Sequence, residues 1–222
     1  MSYFIIGDIH GCYYTFEQML QHWDSTTEIL ISVGDLIDRG NYSAKVVQKC
    51  MELSENYPNT LFLKGNHEVE MIRHFRIGYN KMWVDYCGLE TLEDFELSNV
   101  DIDKLLNWVE AMPLKFEADR LLVTHAGLAD VPEPYNENSD LGVVWNRAPL
   151  MNIGKLQVHG HTPLKSDHPH YNDTSNSWNI DTGAVYGYGL TGLKVDNNGS
   201  VTEKIFVKVD PRDILPDLIE FS

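Results

Sequence analysis

Six residues in this chain have the side chains and the placement to hold metal ions. Asp8 and His10 lie two apart in Gly7-Asp8-Ile9-His10-Gly11. Asp35 opens Gly34-Asp35-Leu36-Ile37-Asp38-Arg39-Gly40, and Asn66 sits in Lys64-Gly65-Asn66-His67-Glu68. His125 and His161 fall in Thr124-His125-Ala126-Gly127 and His159-Gly160-His161-Thr162. Carboxylate, amide and imidazole donors without thiolate suit manganese, iron or zinc better than a soft metal. Two divalent ions bring +4 and two aspartates return −2, so such a centre stays positive. It could attract an anionic substrate even though the chain's formal net charge is −16. An Asp-x-His pair in a turn is commonplace; the argument rests on all the motifs together.

Each motif directly follows an apolar, strand-like run: Tyr3–Ile6, Ile29–Val33, Thr60–Leu63, Leu121–Val123 and Leu156–Val158. Helical segments are expected after the first three, at about Thr15–Trp23, Ser43–Glu55 and Glu68–Phe75. A β-α-β-α-β order with polar groups at the carboxyl ends of strands is the arrangement in which α/β sheets form ligand crevices. The stretch from about Ile77 to Phe116 is expected to be a helical layer over the sheet. The tail from Trp178 is expected to be strands, with a hairpin turn at Asn197-Asn198-Gly199.

With 222 residues, 43% of them hydrophobic and 23% charged, the chain is expected to form one domain over 1–222. No apolar run reaches the ~18 residues of a membrane span, and the first residues read as a strand rather than a signal peptide. Three cysteines without a CxxC pair fit a reducing, cytoplasmic setting. The acidity argues against nucleic-acid binding. No coiled coil or swapping segment is evident, so a monomer is expected.

Read in order, GDxHG, GDxxDRG, GNHE, His-Ala-Gly and the final Gly-His-Thr-Pro resemble the phosphoprotein phosphatase family of calcineurin-like metallophosphoesterases, in its bacterial and phage branch. The resemblance runs from Tyr3 to about Val195. It implies an α/β fold with a central β-sandwich of mixed sheets flanked by helices. It also implies two divalent ions, manganese first, with iron or zinc as options. Asp8, His10 and Asp35 would hold one ion. Asp35, Asn66, His125 and His161 would hold the other, with a hydroxide between them. Arg39 and Arg147, the latter in Val144-Trp145-Asn146-Arg147, would bind phosphoryl oxygens together with Asn66.

His67 adjoins Asn66 without being a ligand and could protonate the leaving group, with Asp38 orienting its ring. The expected activity is hydrolysis of phosphomonoesters, on phosphoproteins (Ser/Thr, with Tyr) or small phosphate esters. The runner-up is a symmetrical dinucleoside polyphosphate hydrolase, although Asp38 and Glu68 follow the protein-phosphatase form. The phosphatase module of a nucleic-acid end-repair enzyme and a non-catalytic phospho-binding scaffold are weaker rivals. No P-loop is present, and no ligand position is missing. His159 could support a ligand, Tyr186 and Tyr188 could approach the site, and the acidic loop 129–140 reads as a solvated connection.

Overall fold

A computed structural model describes residues 2–214. The chain builds two five-stranded mixed sheets. Strands β1 (Ser2–Ile6), β2 (Glu28–Ser32) and β3 (Thr60–Phe62) run parallel in the first. The second holds β4 (Lys115–Glu117), β5 (Leu121–Thr124), β6 (Leu156–His159), β7 (His170–Asn172) and β8 (Ser177–Asn179), in the order β4-β5-β6-β8-β7. The tail returns as β9 (Gly189–Val195) and β10 (Val201–Lys208), which complete the first sheet in the order β10-β9-β1-β2-β3. Their hairpin turns at the predicted place, where Gly199 takes φ +79°.

The period-two pattern of the strands assigns their faces. Ile5, Ile31 and Leu193 of the first sheet meet Leu121, Val123, Leu156 and Val158 of the second, forming the inner layer of the sandwich. Phe4, Ile6 and Leu30 point the other way, into a second core shared with the helices. Those helices are α1 (Tyr13–Leu20), α2 (Ser43–Asn56), α3 (Asn66–Arg76), α4 (Lys81–Trp83), α5 (Leu89–Leu97) and α6 (Ile102–Glu110). A single π-helical turn, Val84–Gly88, joins α4 to α5.

This is the expected fold class, and the expected helical layer is present as α4, the π-helical turn, α5 and α6, but it stops at Glu110; Lys115 and Phe116 belong instead to β4, where they pair with Thr124 and Val123 of β5. One boundary differs in a way that matters. Helix α3 begins at Asn66 rather than Glu68, because the Glu68 carboxylate turns back to accept from the Gly65 N–H at 2.8 Å. Asn66 and His67 therefore occupy a rigid first helical turn, not a loop. No helix among the described residues is long and apolar enough to cross a membrane.

Candidate metal centre

The five motif loops leave the strand ends and converge, and convergence bends the backbone. Nine non-glycine residues among those described have positive φ, and five are site residues: His10 (44°), Asp35 (50°), Asp38 (74°), Arg39 (71°) and His161 (71°). Such conformations are costly for side-chain-bearing residues and cluster where surrounding structure enforces them for function. Two glycines make room for the carboxylates. A Cβ on Gly160 would lie 1.8 Å from Asp8 Oδ1, and one on Gly65 would lie 2.2 Å from Asp35 Oδ1.

Asp35 sits at the centre. Its Oδ1 accepts from the His67 backbone N–H at 3.1 Å. Its Oδ2 faces three imidazoles, at 3.4 Å from His125 Nε2, 3.6 Å from His10 Nε2 and 3.9 Å from His67 Nε2. Glu68 holds this loop in place by accepting from the Asp35 and Leu36 N–H groups at 2.9 and 2.8 Å. The sequence reading used Glu68 only to separate subfamilies. Its capping and clamping role was visible in the Gly-Asn-His-Glu spacing at a helix start.

Tutomer assignments follow from the carbonyls around the rings. His10 Nδ1 lies 2.9 Å from the Ile37 carbonyl and His125 Nδ1 3.0 Å from that of Val33. A carbonyl only accepts, so each Nδ1 carries a proton and donates it. In the neutral ring this leaves the Nε2 lone pair facing inward, as a ligand requires. His125 Nε2, His161 Nδ1 and Asn66 Oδ1 then stand 2.9–3.2 Å apart, although an amide oxygen has no proton to share. Asp8 Oδ1 and His161 Nε2 are the two buried side-chain polar atoms without a hydrogen-bond partner among the described residues. Converging lone pairs and a buried orphan carboxylate oxygen are what a cation would satisfy. The donor set fits two divalent ions.

Charge follows the same geometry. Burial, reinforced by Asp181 and Asp35, pushes the Asp8 carboxyl well above its usual range. Burial acts the same way on Asp35, but the adjacent His125 and His67 override it and hold that carboxyl well below its usual range. Burial and the nearby Arg39 lower His10, and burial with His125 lowers His161 to about 2. At His125 burial opposes the charged ring, yet Asp35 raises it to about 9. Asp181, buried near Asp8 and raised to about 6 by that burial, is a carboxyl the sequence reading did not single out.

Beside the ligand cluster, His67 Nδ1 meets Asp38 Oδ2 at 2.5 Å. Trp83 Nε1 donates to the same oxygen at 2.7 Å, and Thr91 Oγ1 donates to Oδ1 at 2.6 Å. Trp83 and Thr91 come from the helical layer and were not foreseen, since nothing in their local sequence marks them. Burial lowers the His67 pKa, but Asp35 and Asp38 outweigh it and the net shift is upward.

Arg39 Nη1 donates to His10 Nε2 at 3.0 Å, and its guanidinium lies 5.8 Å from the Tyr186 ring centroid. Arg147 donates to Thr162 Oγ1 at 3.1 Å, next to His161. The chain has six arginines, and the other four pair with carboxylates. Among the described residues, Arg39 and Arg147 have no carboxylate within 4.0 Å, which leaves both guanidiniums available to an anion. They share the wall of a cavity of about 280 Å³ with Asn66 and His67. Of the remaining candidates, His159 has only the neighbouring Gly160 carbonyl as a hydrogen-bond partner among the described residues. The acidic loop contributes Glu137, which accepts from buried Lys64 at 2.7 Å.

The calcineurin-like phosphoesterase family profile matches residues 1–196. The asymmetrical bis(5'-nucleosyl)-tetraphosphatase PrpE of Bacillus cereus (strain Q1) is 32% identical, over 87% of this chain and 90% of its own length. Its counterpart in Bacillus mycoides (strain KBAB4) is 31% identical with the same coverage. Similar solved structures include a protein serine/threonine phosphatase from Saccharomyces cerevisiae with similarity to human phosphatase PP5. It has TM-score 0.66 and 14% identity, covering 95% of this chain and 80% of that one. A candidate diadenosine tetraphosphatase has TM-score 0.61 and 20% identity, covering 92% and 93%. At these identities the two structures speak for the fold alone.

Proposed function

Because the chain belongs to the calcineurin-like phosphoesterase family, whose members use a dinuclear divalent metal centre, we propose that it is a hydrolase cleaving dinucleoside tetraphosphates asymmetrically. The observation that carries the substrate is the 32% identity, over 87% of the chain, to relatives named for that activity. The sequence alone puts phosphomonoesters first and symmetrical dinucleoside polyphosphate cleavage second; the asymmetrical form, which those relatives carry in their name, is placed ahead of both here.

In this reading Asp8, His10 and Asp35 would hold one ion and Asp35, Asn66, His125 and His161 the other; Asp35 serves both sets because its Oδ2 faces His10 and His125. Manganese suits these donors, as do iron and zinc. When bound, two divalent cations would supply an activated water at neutral pH and polarise the phosphoryl group. Arg39, Arg147 and Asn66 hold its non-bridging oxygens; a guanidinium can do so through two parallel N–H groups. His67 hands its Nε2 proton to the leaving oxygen as the bond to phosphorus breaks. Asp38 keeps the ring oriented through Nδ1 and favours its charged form.

One feature supports phosphomonoesters, including phosphoproteins, as a second reading. An alkoxide leaving group needs a proton far more than a phosphate does, and the buried His67–Asp38 pair is built to deliver one. Turnover of diadenosine tetraphosphate against phosphoserine, phosphothreonine and phosphotyrosine peptides, compared by kcat/KM, separates the two. The first reading expects ATP plus AMP as products. Two ADP, or a higher kcat/KM on a phosphopeptide, would overturn it.

A further inference from the structure

Away from the metal centre the cleft becomes apolar. Met82, Tyr86 and Trp145 join Arg39, Arg147 and His67 in lining the 280 Å³ cavity. Met82 and Tyr86 belong to α4 and the π-helical turn that follows it. Trp83 and Cys87, four residues apart, face inward at 3% and 7% exposure, and both reach Asp38. Met82 and Tyr86, also four apart, face outward at 84% and 79% exposure. Residues at this spacing share one face of a helix, so the segment has one anchored face and one bare apolar face. Of the 12 large hydrophobic side chains exposed on the described residues, six lie between Ile77 and Leu97. Two of these six, Met82 and Tyr86, line the same cavity as Arg39 and Arg147, and exposed apolar side chains beside cations that lack carboxylate partners mark a binding surface.

His67 gives its proton to the leaving group and faces this cavity, so the leaving group departs into it. The geometry points to Met82 and Tyr86, with Trp145, as the platform that takes the base of the departing nucleotide. This rests on the phosphoesterase reading of the site. At about 280 Å³ the cavity falls just below the about 300–1,000 Å³ of drug-sized sites; it suits a base and sugar rather than an extended peptide. Glu70, the acidic residue in its wall, is already held by Arg73 and Asn80, so no free carboxylate waits for a basic peptide side chain. The Trp145 indole is fixed in advance: its Nε1 donates to the Glu137 carbonyl at 3.2 Å, and the Arg73 guanidinium lies 5.8 Å from its ring.

The test compares ligands that differ only by the base. AMP and ribose 5-phosphate are measured as competitive inhibitors of p-nitrophenyl phosphate hydrolysis by the manganese-loaded protein. Stacking on an aromatic side chain predicts an inhibition constant about tenfold lower or better for AMP. The exposed pair tolerates truncation, so the Met82→Ala/Tyr86→Ala variant should fold. It should bring AMP to the level of ribose 5-phosphate while leaving ribose 5-phosphate unchanged. Equal inhibition by the two ligands in the wild-type protein would overturn the proposal, as would a gap that survives the double substitution. So would dependence on the pair for a phosphopeptide but not for AMP. Diadenosine tetraphosphate turnover, assayed separately, keeps the two ideas apart. A base-dependent gain without that turnover supports the platform and sinks the substrate reading; turnover without the gain does the reverse.

Discussion

The strand-end loops and the helical wall of residues 81–97 meet at Asp38, and they are built on opposite principles. In the loops, short stretches carry uncommon side chains in strained backbone: His10, Asp35, Asp38, Arg39 and His161 all have positive φ. In the wall, ordinary helical residues act through placement. Trp83 and Thr91 reach Asp38 from below, and Met82 and Tyr86 face outward above. The comparison teaches that the loops supply the chemistry, whereas the wall decides how one loop residue is held and what the cleft accepts.

Asp35→Asn should do the most damage, because it weakens the one carboxylate facing three imidazoles. We expect activity to fall by more than about 10³-fold, with metal content by mass spectrometry dropping below two ions per chain. Retention of both ions would show that Asp35 is not shared. His67→Asn should keep both ions and slow alkyl phosphates by roughly 10²–10⁴-fold. Aryl phosphates should suffer less, since their leaving group departs without a proton. Equal losses on both would remove His67 as the acid and break the link between the two regions. Arg147→Ala should cost about 2–4 kcal/mol of transition-state stabilisation, seen in kcat/KM with metal content unchanged. Wild-type kinetics there would mean that another cation holds the phosphoryl group.

Proton linkage gives a smaller effect, confined to the loops. His125 is raised to about 9 in the folded chain without metal, against about 6.5 when unfolded. Its proton therefore stabilises the metal-free fold fully below pH ~6.5, and this contribution is lost as pH rises through about 9. Melting of chelated protein should move to lower temperature over that window. Metal affinity should run the other way, rising up to about tenfold per pH unit below 9, because the ion must displace that proton. Calorimetric titration with Mn²⁺ at several pH values reads the slope, and a flat profile would contradict the assignment of His125. The smallest change should come from the wall. Thr91→Val removes a hydrogen bond to a carboxylate, worth about 1.5–3 kcal/mol of stability, measured by denaturant melting. The alkyl-phosphate rate should fall less than in His67→Asn. A loss as large as that variant's would make Thr91 as important as the acid itself.

Residue order alone was enough to find the loops. Metal-ligand types directly after apolar runs carry a local signal, and Gly7, Gly34, Gly65 and Gly160 mark where the backbone must turn. The same pattern located all five site-bearing strands and the Asn198-Gly199 turn. It missed Asn66 as the first residue of α3, because the Glu68 cap that draws the helix back is a contact rather than a periodicity. It gave Asp181 no role of its own, because one aspartate after a strand looks like any other until burial brings it near Asp8.

The sequence by itself determined the fold class and the order in which the strand-end loops supply their polar side chains, because each depends on residue type and short-range spacing. Only the tertiary structure decided which lone pairs converge, that of the six arginines only Arg39 and Arg147 lack carboxylate partners among the described residues, and that Trp83 and Thr91 close around Asp38. The converging lone pairs and the contacts to Asp38 join residues 36–95 positions apart in the chain. No local pattern encodes such distances; packing the two sheets and the helical layer into one body does.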